Sequence, residues 1–237
     1  MAGETVSCIK TILRACASLL TVLFFAAVCY GADARTYYKQ GKDSAAEGQY
    51  DEAITDLTRA IESNSKYYQA YNKRGETYAA KGQYDEALAD FTKAIELNPK
   101  YSQAYNNRGN VYYDKKQYEQ ALADYSRAIE LNPKNHRAYT NRGNIYYDRK
   151  EYKEAYADYT KAITLSKKND SAYFNRGLIY YALKQYALAI ADFTKVIQLN
   201  PRDPAAYINR GNAYKAAEQH DKADADYIKA EELNKTK

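Results

Sequence analysis

Two stripes of apolar and small residues alternate along this chain. From Ala34 onward the first stripe takes residues at i, i+4 and i+7, as in Tyr71, Gly75 and Tyr78 or Tyr139, Gly143 and Tyr146. That spacing is one face of a helix. The second stripe follows after a short polar stretch, as in Ala87, Phe91, Ala94 and Ile95 or Ala155, Tyr159, Ala162 and Ile163. Gly48, Gly82, Lys116, Lys150, Lys184 and Glu218 stand between the two and mark a turn. Asn98-Pro99, Asn132-Pro133 and Asn200-Pro201 follow the second stripe, and a residue before proline is pushed out of the helical region. The pattern predicts helix A, turn, helix B, then a stop.

The pattern repeats. Residues Ala34 to Lys237 divide into six units of 34, beginning at Ala34, Tyr68, Ser102, His136, Asp170 and Pro204. Within a unit, position 4 is always Tyr, position 8 always Gly, position 20 always Ala and position 23 always Asp. Position 24 is bulky (Leu57, Phe91, Tyr125, Tyr159, Phe193, Tyr227). Small residues at 8 and 20 let two helices approach, and the large residues fill the space beside them. One such hairpin cannot bury its apolar face alone, so the expected fold is all-α, an α-solenoid of stacked hairpins.

These units resemble the tetratricopeptide repeat (TPR): aromatic-x3-Gly-x2-Tyr, then Ala-x3-Phe-x2-Ala, then Pro, over 34 residues. The resemblance implies a right-handed superhelix whose concave groove is lined by the A helices. It also implies a function as a protein-interaction scaffold rather than an enzyme. Three departures stand out: Arg in place of the usual Leu at position 7 in five units, Lys167 where Pro is expected, and Ser44 where position 11 is otherwise Tyr.

The first 33 residues are of another kind. Lys10 and Arg14 precede an apolar run from Ala15 to Tyr30, followed by Gly31-Ala32-Asp33-Ala34. This reads as a secretory signal peptide over 1–34, with the TPR domain over 35–237; a retained single-pass anchor is the alternative. Export to a periplasmic or extracellular space is the expected localisation. All three Cys (Cys8, Cys16, Cys29) lie in this segment, which would leave an exported chain without thiol chemistry.

Composition narrows the function. Mean hydropathy is −0.76 and 27% of residues are charged, against a polytopic membrane protein. The net charge of +5 comes from 35 basic and 30 acidic residues, interspersed, which is not the footprint of a nucleic-acid binder. His136 and His220 fall at unrelated repeat positions, and no catalytic or metal-binding motif appears. Neither a cofactor, a metal nor a small-molecule substrate is expected. Nineteen of the 28 Tyr occupy framework positions 4, 11, 17 and 24, so most of the tyrosine excess is structural.

Position 7 carries Arg74, Arg108, Arg142, Arg176 and Arg210, inside the apolar arc of helix A. A half-buried guanidinium needs a partner, and Asp56, Asp90, Asp124, Asp158 and Asp192 at position 23 offer one. Two pairings are open: within a unit (Arg142 to Asp158) or between units (Arg142 to Asp124). The second is favoured, because it gives Asp56 the partner Arg74 and leaves only Asp226 without one.

The groove-facing arc of helix A is expected at positions 2, 5, 9 and 12, with position 6 beside it. The candidate peptide-binding residues are Asn72, Asn106, Asn107, Asn110, Tyr113, Arg137, Asn141, Asn144, Tyr147, Phe174, Asn175 and Tyr181. Asn amides donate to and accept from a peptide backbone at once, and Tyr adds contact area at little entropic cost. The regular Asn steps resemble the asparagine ladder in the TPR superhelix of O-GlcNAc transferase, which implies a peptide-backbone role. The same Asn side chains could instead cap, solvate or bridge helices. The carboxylate clamp of TPR co-chaperones needs basic residues at positions 5 and 9, absent in units three to five, where Arg137 is the nearest substitute. The expected function is therefore a scaffold binding an extended protein segment, in envelope or secretory-pathway assembly. The alternative is an architectural, membrane-anchored, self-assembling protein with an empty groove. In unit six, Asp224 and Glu231 replace apolar residues, as expected of a solenoid cap.

Overall fold

The computed structural model describes residues 34–235. It contains twelve helices in six hairpins: α1 (34–46), α2 (Tyr50–Ser63), α3 (Tyr68–Ala80), α4 (Tyr84–Leu97), α5 (Ser102–Asp114), α6 (Tyr118–Leu131), α7 (His136–Asp148), α8 (Tyr152–Leu165), α9 (Asp170–Ala182), α10 (Tyr186–Leu199), α11 (Pro204–Ala216) and α12 (His220–Lys235). The proposed signal segment lies outside the described residues, apart from Ala34. Among the described residues no helix is long and apolar enough to cross a membrane.

The turn between helices A and B has a fixed backbone. Gly48 and Gly82 take φ of 79° and 75°, and Lys116, Lys150, Lys184 and Glu218 take 58–62° at the same position. Around Lys150, its own N–H bonds to Tyr147 O and the Glu151 N–H to Tyr146 O, the two bonds of a Schellman cap. Four non-glycine residues thus occupy the left-handed region that glycine adopts without cost.

The other end of the first three hairpins is closed by side chains. The Oδ1 of Asn64, Asn98 and Asn132 accepts from the backbone N–H two residues on, at 3.0–3.1 Å. Ser166, which precedes Lys167 rather than Pro, keeps the same extended backbone (φ −141°, ψ 104°). The stop therefore survives without proline. Helices α7, α9 and α11 then start on a capping side chain: Asn135, Asn169 and Asp203 accept from Ala138, Ala172 and Ala205 N–H. Pro204 occupies the first turn of α11, where its missing N–H costs nothing.

The chain forms two compact units, divided between Ala104 and Tyr105. In the first, α2 packs on α3 and α3 on α4, around Ala60, Ile61 and Ala70 with Tyr37, Tyr38, Tyr67 and Tyr71 against them. In the second, every helix from α6 to α12 packs on its sequence neighbours. Its core is built from repeats of one motif. A Cβ on Gly143 would lie 2.8 Å from Tyr159 Cε1, and one on Gly177 2.8 Å from Phe193 Cε1. The position-8 glycine is thus a seat for the position-24 ring, and Tyr125, Tyr159 and Phe193 are fully buried on it.

The ion pairs of position 7 form within units, which corrects the between-unit expectation. Arg142 Nε and Nη2 donate to Asp158 Oδ2 and Oδ1, both at 2.8 Å. Arg74–Asp90, Arg108–Asp124, Arg176–Asp192 and Arg210–Asp226 have the same bidentate geometry. Asp226 is therefore paired. Asp56 has no position-7 arginine and lies instead beside Arg59 at 3.5 Å. The reason is reach: the guanidinium forks directly across its own hairpin. Its third nitrogen turns backward, so that Arg142 Nη1 donates to Ser126 Oγ (3.2 Å) and Arg74 Nη1 to Thr58 Oγ1 (2.9 Å) of the preceding unit. The arginine is stapled between repeats after all, through a hydroxyl rather than a carboxylate.

Tyr139 and Tyr146 flank the Arg142 guanidinium at 5.9 and 5.8 Å, adding cation–π contact. The hydrogen bond to Asp158 holds Arg142 above its ordinary pKa against desolvation. Desolvation wins at the partner in repeat two, where burial raises the Asp90 carboxyl despite Arg74 beside it.

Candidate functional site: a polar channel along the A helices

The second unit carries three cavities along α5, α7, α9 and α11. The first, about 300 Å3, is lined by Asn110, Tyr113, Asp114, Tyr125, Asn141 and Asn144. The middle one, about 500 Å3, has walls that include Asn106, Asn107, His136, Arg137, Lys168 and Asn169. The third, about 400 Å3, adds Phe174, Asn175, Val196 and Asp203. Asn144 borders all three, so they adjoin in a row, called here the channel.

The channel wall is a hydrogen-bonded ladder. Asn110 Oδ1 accepts from Tyr125 OH (2.9 Å) within its hairpin and from Asn141 Nδ2 (2.8 Å) of the next. One repeat on, Asn144 Oδ1 accepts from Tyr159 OH (3.0 Å) and Asn175 Nδ2 (2.8 Å). Burial raises the Tyr125 and Tyr159 phenols far above their ordinary pKa, so both remain donors at any physiological pH. Each position-9 carbonyl oxygen is thereby used internally. The Nδ2 groups of Asn110 and Asn144 form no such bond and are held in fixed orientation on the channel wall, available to an acceptor.

This ladder was legible in the sequence and missed. Tyr125, Tyr159 and Tyr227 at position 24 coincide with Asn110, Asn144 and Asn212 at position 9. Where position 24 is Phe91 or Phe193, with no hydroxyl to satisfy, position 9 is Glu76 or Leu178. Tyr227 OH bonds Asn212 Oδ1 at 2.9 Å in the sixth repeat as well.

The other candidates divide. Asn72 is 2% exposed and donates to Glu76 Oε1, so it faces inward rather than onto the groove. Position 5 is turned toward the following hairpin: Thr140, its counterpart in α7, accepts from Asn169 Nδ2 at 2.8 Å. Asn106 is also at position 5 and only 7% exposed, but its Oδ1 has no hydrogen-bond partner and its side chain borders the middle cavity. Tyr113 lines the first cavity and donates to Asp148 Oδ2 at 3.0 Å; burial first, and this bond second, raise its pKa to about 12. Tyr147 and Tyr181 border none of the three cavities. Each packs its ring on the position-17 tyrosine of its own hairpin, Tyr152 at 5.6 Å and Tyr186 at 5.7 Å, as Tyr113 does on Tyr118.

Sequence reasoning overlooked Asp114, His136, Lys168, Asn169, Asp170 and Ser171. Most of these sit at the junction between one helix B and the next helix A, which a single helical wheel does not place. Asn169 does three things there: it caps α9, bonds Thr140, and presents Nδ2 to His136 Nδ1 at 3.2 Å. Burial first, and Arg137 second, lower the His136 pKa. A donor facing Nδ1 favours the same neutral form.

Family models described as "TPR repeat" match residues 34–82, 75–115, 109–149 and 143–184, and models described as "Tetratricopeptide repeat" match 171–203 and 193–225. The chain belongs to the tetratricopeptide-repeat family. It is a protein–protein interaction scaffold of a family that is typically non-catalytic. Several solved structures are similar to it. MamA is 25% identical, with a TM-score of 0.62, over 68% of this chain and 95% of MamA. YrrB, described as a TPR protein with an unusual peptide-binding site, is 25% identical, with a TM-score of 0.61, over 75% of this chain and 91% of YrrB. PilF of Pseudomonas aeruginosa shares the fold at 18% identity and a TM-score of 0.77, over 88% of this chain and 99% of PilF. Among curated proteins none matches the sequence.

Proposed function

We propose that this TPR protein binds an extended protein segment in the channel along α5, α7, α9 and α11. The observation that carries the reading is the ladder geometry. Asn110 and Asn144 have their oxygens fixed by tyrosine and asparagine donors, which aligns two amide donors one repeat apart for main-chain carbonyls. Fixed donors lose little entropy when a chain binds, so binding energy goes into the contacts. The peptide-binding site described for YrrB, a similar chain, supports the same reading. The basic and apolar N-terminal segment supports action in the secretory pathway or cell envelope.

The test is selection of linear peptides from a display library on the protein, followed by Asn110→Asp/Asn144→Asp. Aspartate keeps the acceptor that Tyr125 and Tyr159 need and removes the Nδ2 donors. Affinity for selected peptides should fall on the order of tenfold or more while the melting profile holds. Unchanged affinity would move the site out of the channel. For the export reading, mass spectrometry of the mature chain should find a start at Arg35 or Ala32; an intact Met1 would refute cleavage.

A further inference from the structure

The middle cavity differs from its neighbours in charge and in one unmet hydrogen bond. Arg137 borders it from the first turn of α7 and Lys168 from the turn before α9, both exposed, and neither forms an ion pair among the described residues. The one carboxylate on its wall, Asp170, is engaged locally, its Oδ1 accepting from Ser171 N–H at 2.8 Å. Deeper in, Asn106 Oδ1 is buried without a donor. A buried acceptor left unpaired costs free energy. The cavity wall therefore includes a residue with one buried, unpaired acceptor, and its rim carries two positive charges against one negative.

The neighbouring cavities set what lies on either side. The first shares Asn110, Asn141 and Asn144 with the middle one, and the third shares Asn144, Asp170 and Ser171. The middle cavity thus has a neighbour on each side, which leaves room for an extended chain to run past it in both directions. The third cavity offers Phe174 and Val196, an apolar floor.

We propose that the middle cavity selects an internal acidic residue of the bound segment: its carboxylate is held between Arg137 and Lys168, and an apolar side chain follows into the Phe174 cavity. The proposal deepens the channel reading and rests on it. Both cations are on the rim, so the preference has the salt dependence of exposed charges.

The test uses arrayed peptides acetylated at the N-terminus and amidated at the C-terminus, so that no terminal carboxylate is present. The expected result is enrichment of Asp or Glu at one position, with an apolar residue on one side of it. Arg137→Glu/Lys168→Glu should turn that preference toward Lys or Arg, and Arg137→Ala/Lys168→Ala should weaken acidic peptides about tenfold at low salt and less at high salt. Both residues are exposed, and circular dichroism melts check that the variants fold. Binding of blocked peptides with no acidic preference, but still sensitive to Asn144→Asp, would overturn this proposal and leave the channel reading standing. A requirement for a free C-terminal carboxylate would also overturn it. Failure of every blocked and unblocked peptide to bind would remove both readings.

Discussion

At residue position 7, an arginine stands where a leucine would suffice for packing. It is retained here with every donor nitrogen directed at a partner, a carboxylate fork on one side and a hydroxyl on the other. A half-buried pair of this kind adds little over a hydrophobic substitute, but breaking it is costly because the remaining charge is stranded. Arg142→Ala should therefore lose about 1–4 kcal/mol in denaturant melts, with Asp158 left buried. A double-mutant cycle should find coupling between Arg142 and Asp158 and none between Arg142 and Asp124. Coupling to Asp124 instead would overturn the within-hairpin geometry. His136 gives a pH signature. Its pKa is lowered on folding, so the unfolded chain takes up the proton first as pH falls. The stability contributed by neutral His136 is whole above its unfolded value of about 6.5 and declines below it. Urea midpoints measured across that window should fall with pH more steeply for wild type than for His136→Gln, and parallel slopes would contradict the assignment.

At the scale of the element, each hairpin is set by one close approach and one turn. Gly143 has no room for a Cβ against the Tyr159 ring. Gly143→Ala should destabilise by about 1–3 kcal/mol, even though alanine is the better helix former. The turn behaves in the opposite sense. Lys150 sits at φ 62°, where glycine is at ease, and Lys150→Gly should stabilise by about 1 kcal/mol. Thermal melts of the two variants should therefore shift in opposite directions; a shift of both to lower temperature would show that the turn is not strained. Much of this architecture is visible in the sequence. The 3.6-residue stripes, Gly at 8, Ala at 20 and the bulky 24 define the hairpin because helix periodicity and side-chain volume are local facts. The left-handed turn was legible as a position but not as a conformation, since Lys and Glu carry no signal for positive φ.

At the scale of the whole molecule, described contacts within each unit link helices that are neighbours in sequence or one removed. Stability in such an array is a sum of hairpin terms and neighbour interfaces, so local damage should stay local. Arg210→Ala should speed amide hydrogen exchange in α11 and α12 while the α7 amides keep their protection. Uniform acceleration throughout the second unit would mean that it unfolds as one block.

The sequence by itself determined the repeated hairpins, the all-α class and the family, because a period of 34 with fixed small and large positions buries its apolar stripes by stacking. It also named most of the channel asparagines. Only the tertiary structure decided which carboxylate each arginine reaches, that Asn72 turns inward, and that Tyr147 and Tyr181 pack on their own hairpins. It alone brought His136, Lys168 and Asn169 to one cavity with Asn106. The reason is geometric: a helical wheel gives the direction of a side chain around its own axis, whereas partners across a hairpin, or at a junction between hairpins, depend on how far two axes stand apart and which ends they share.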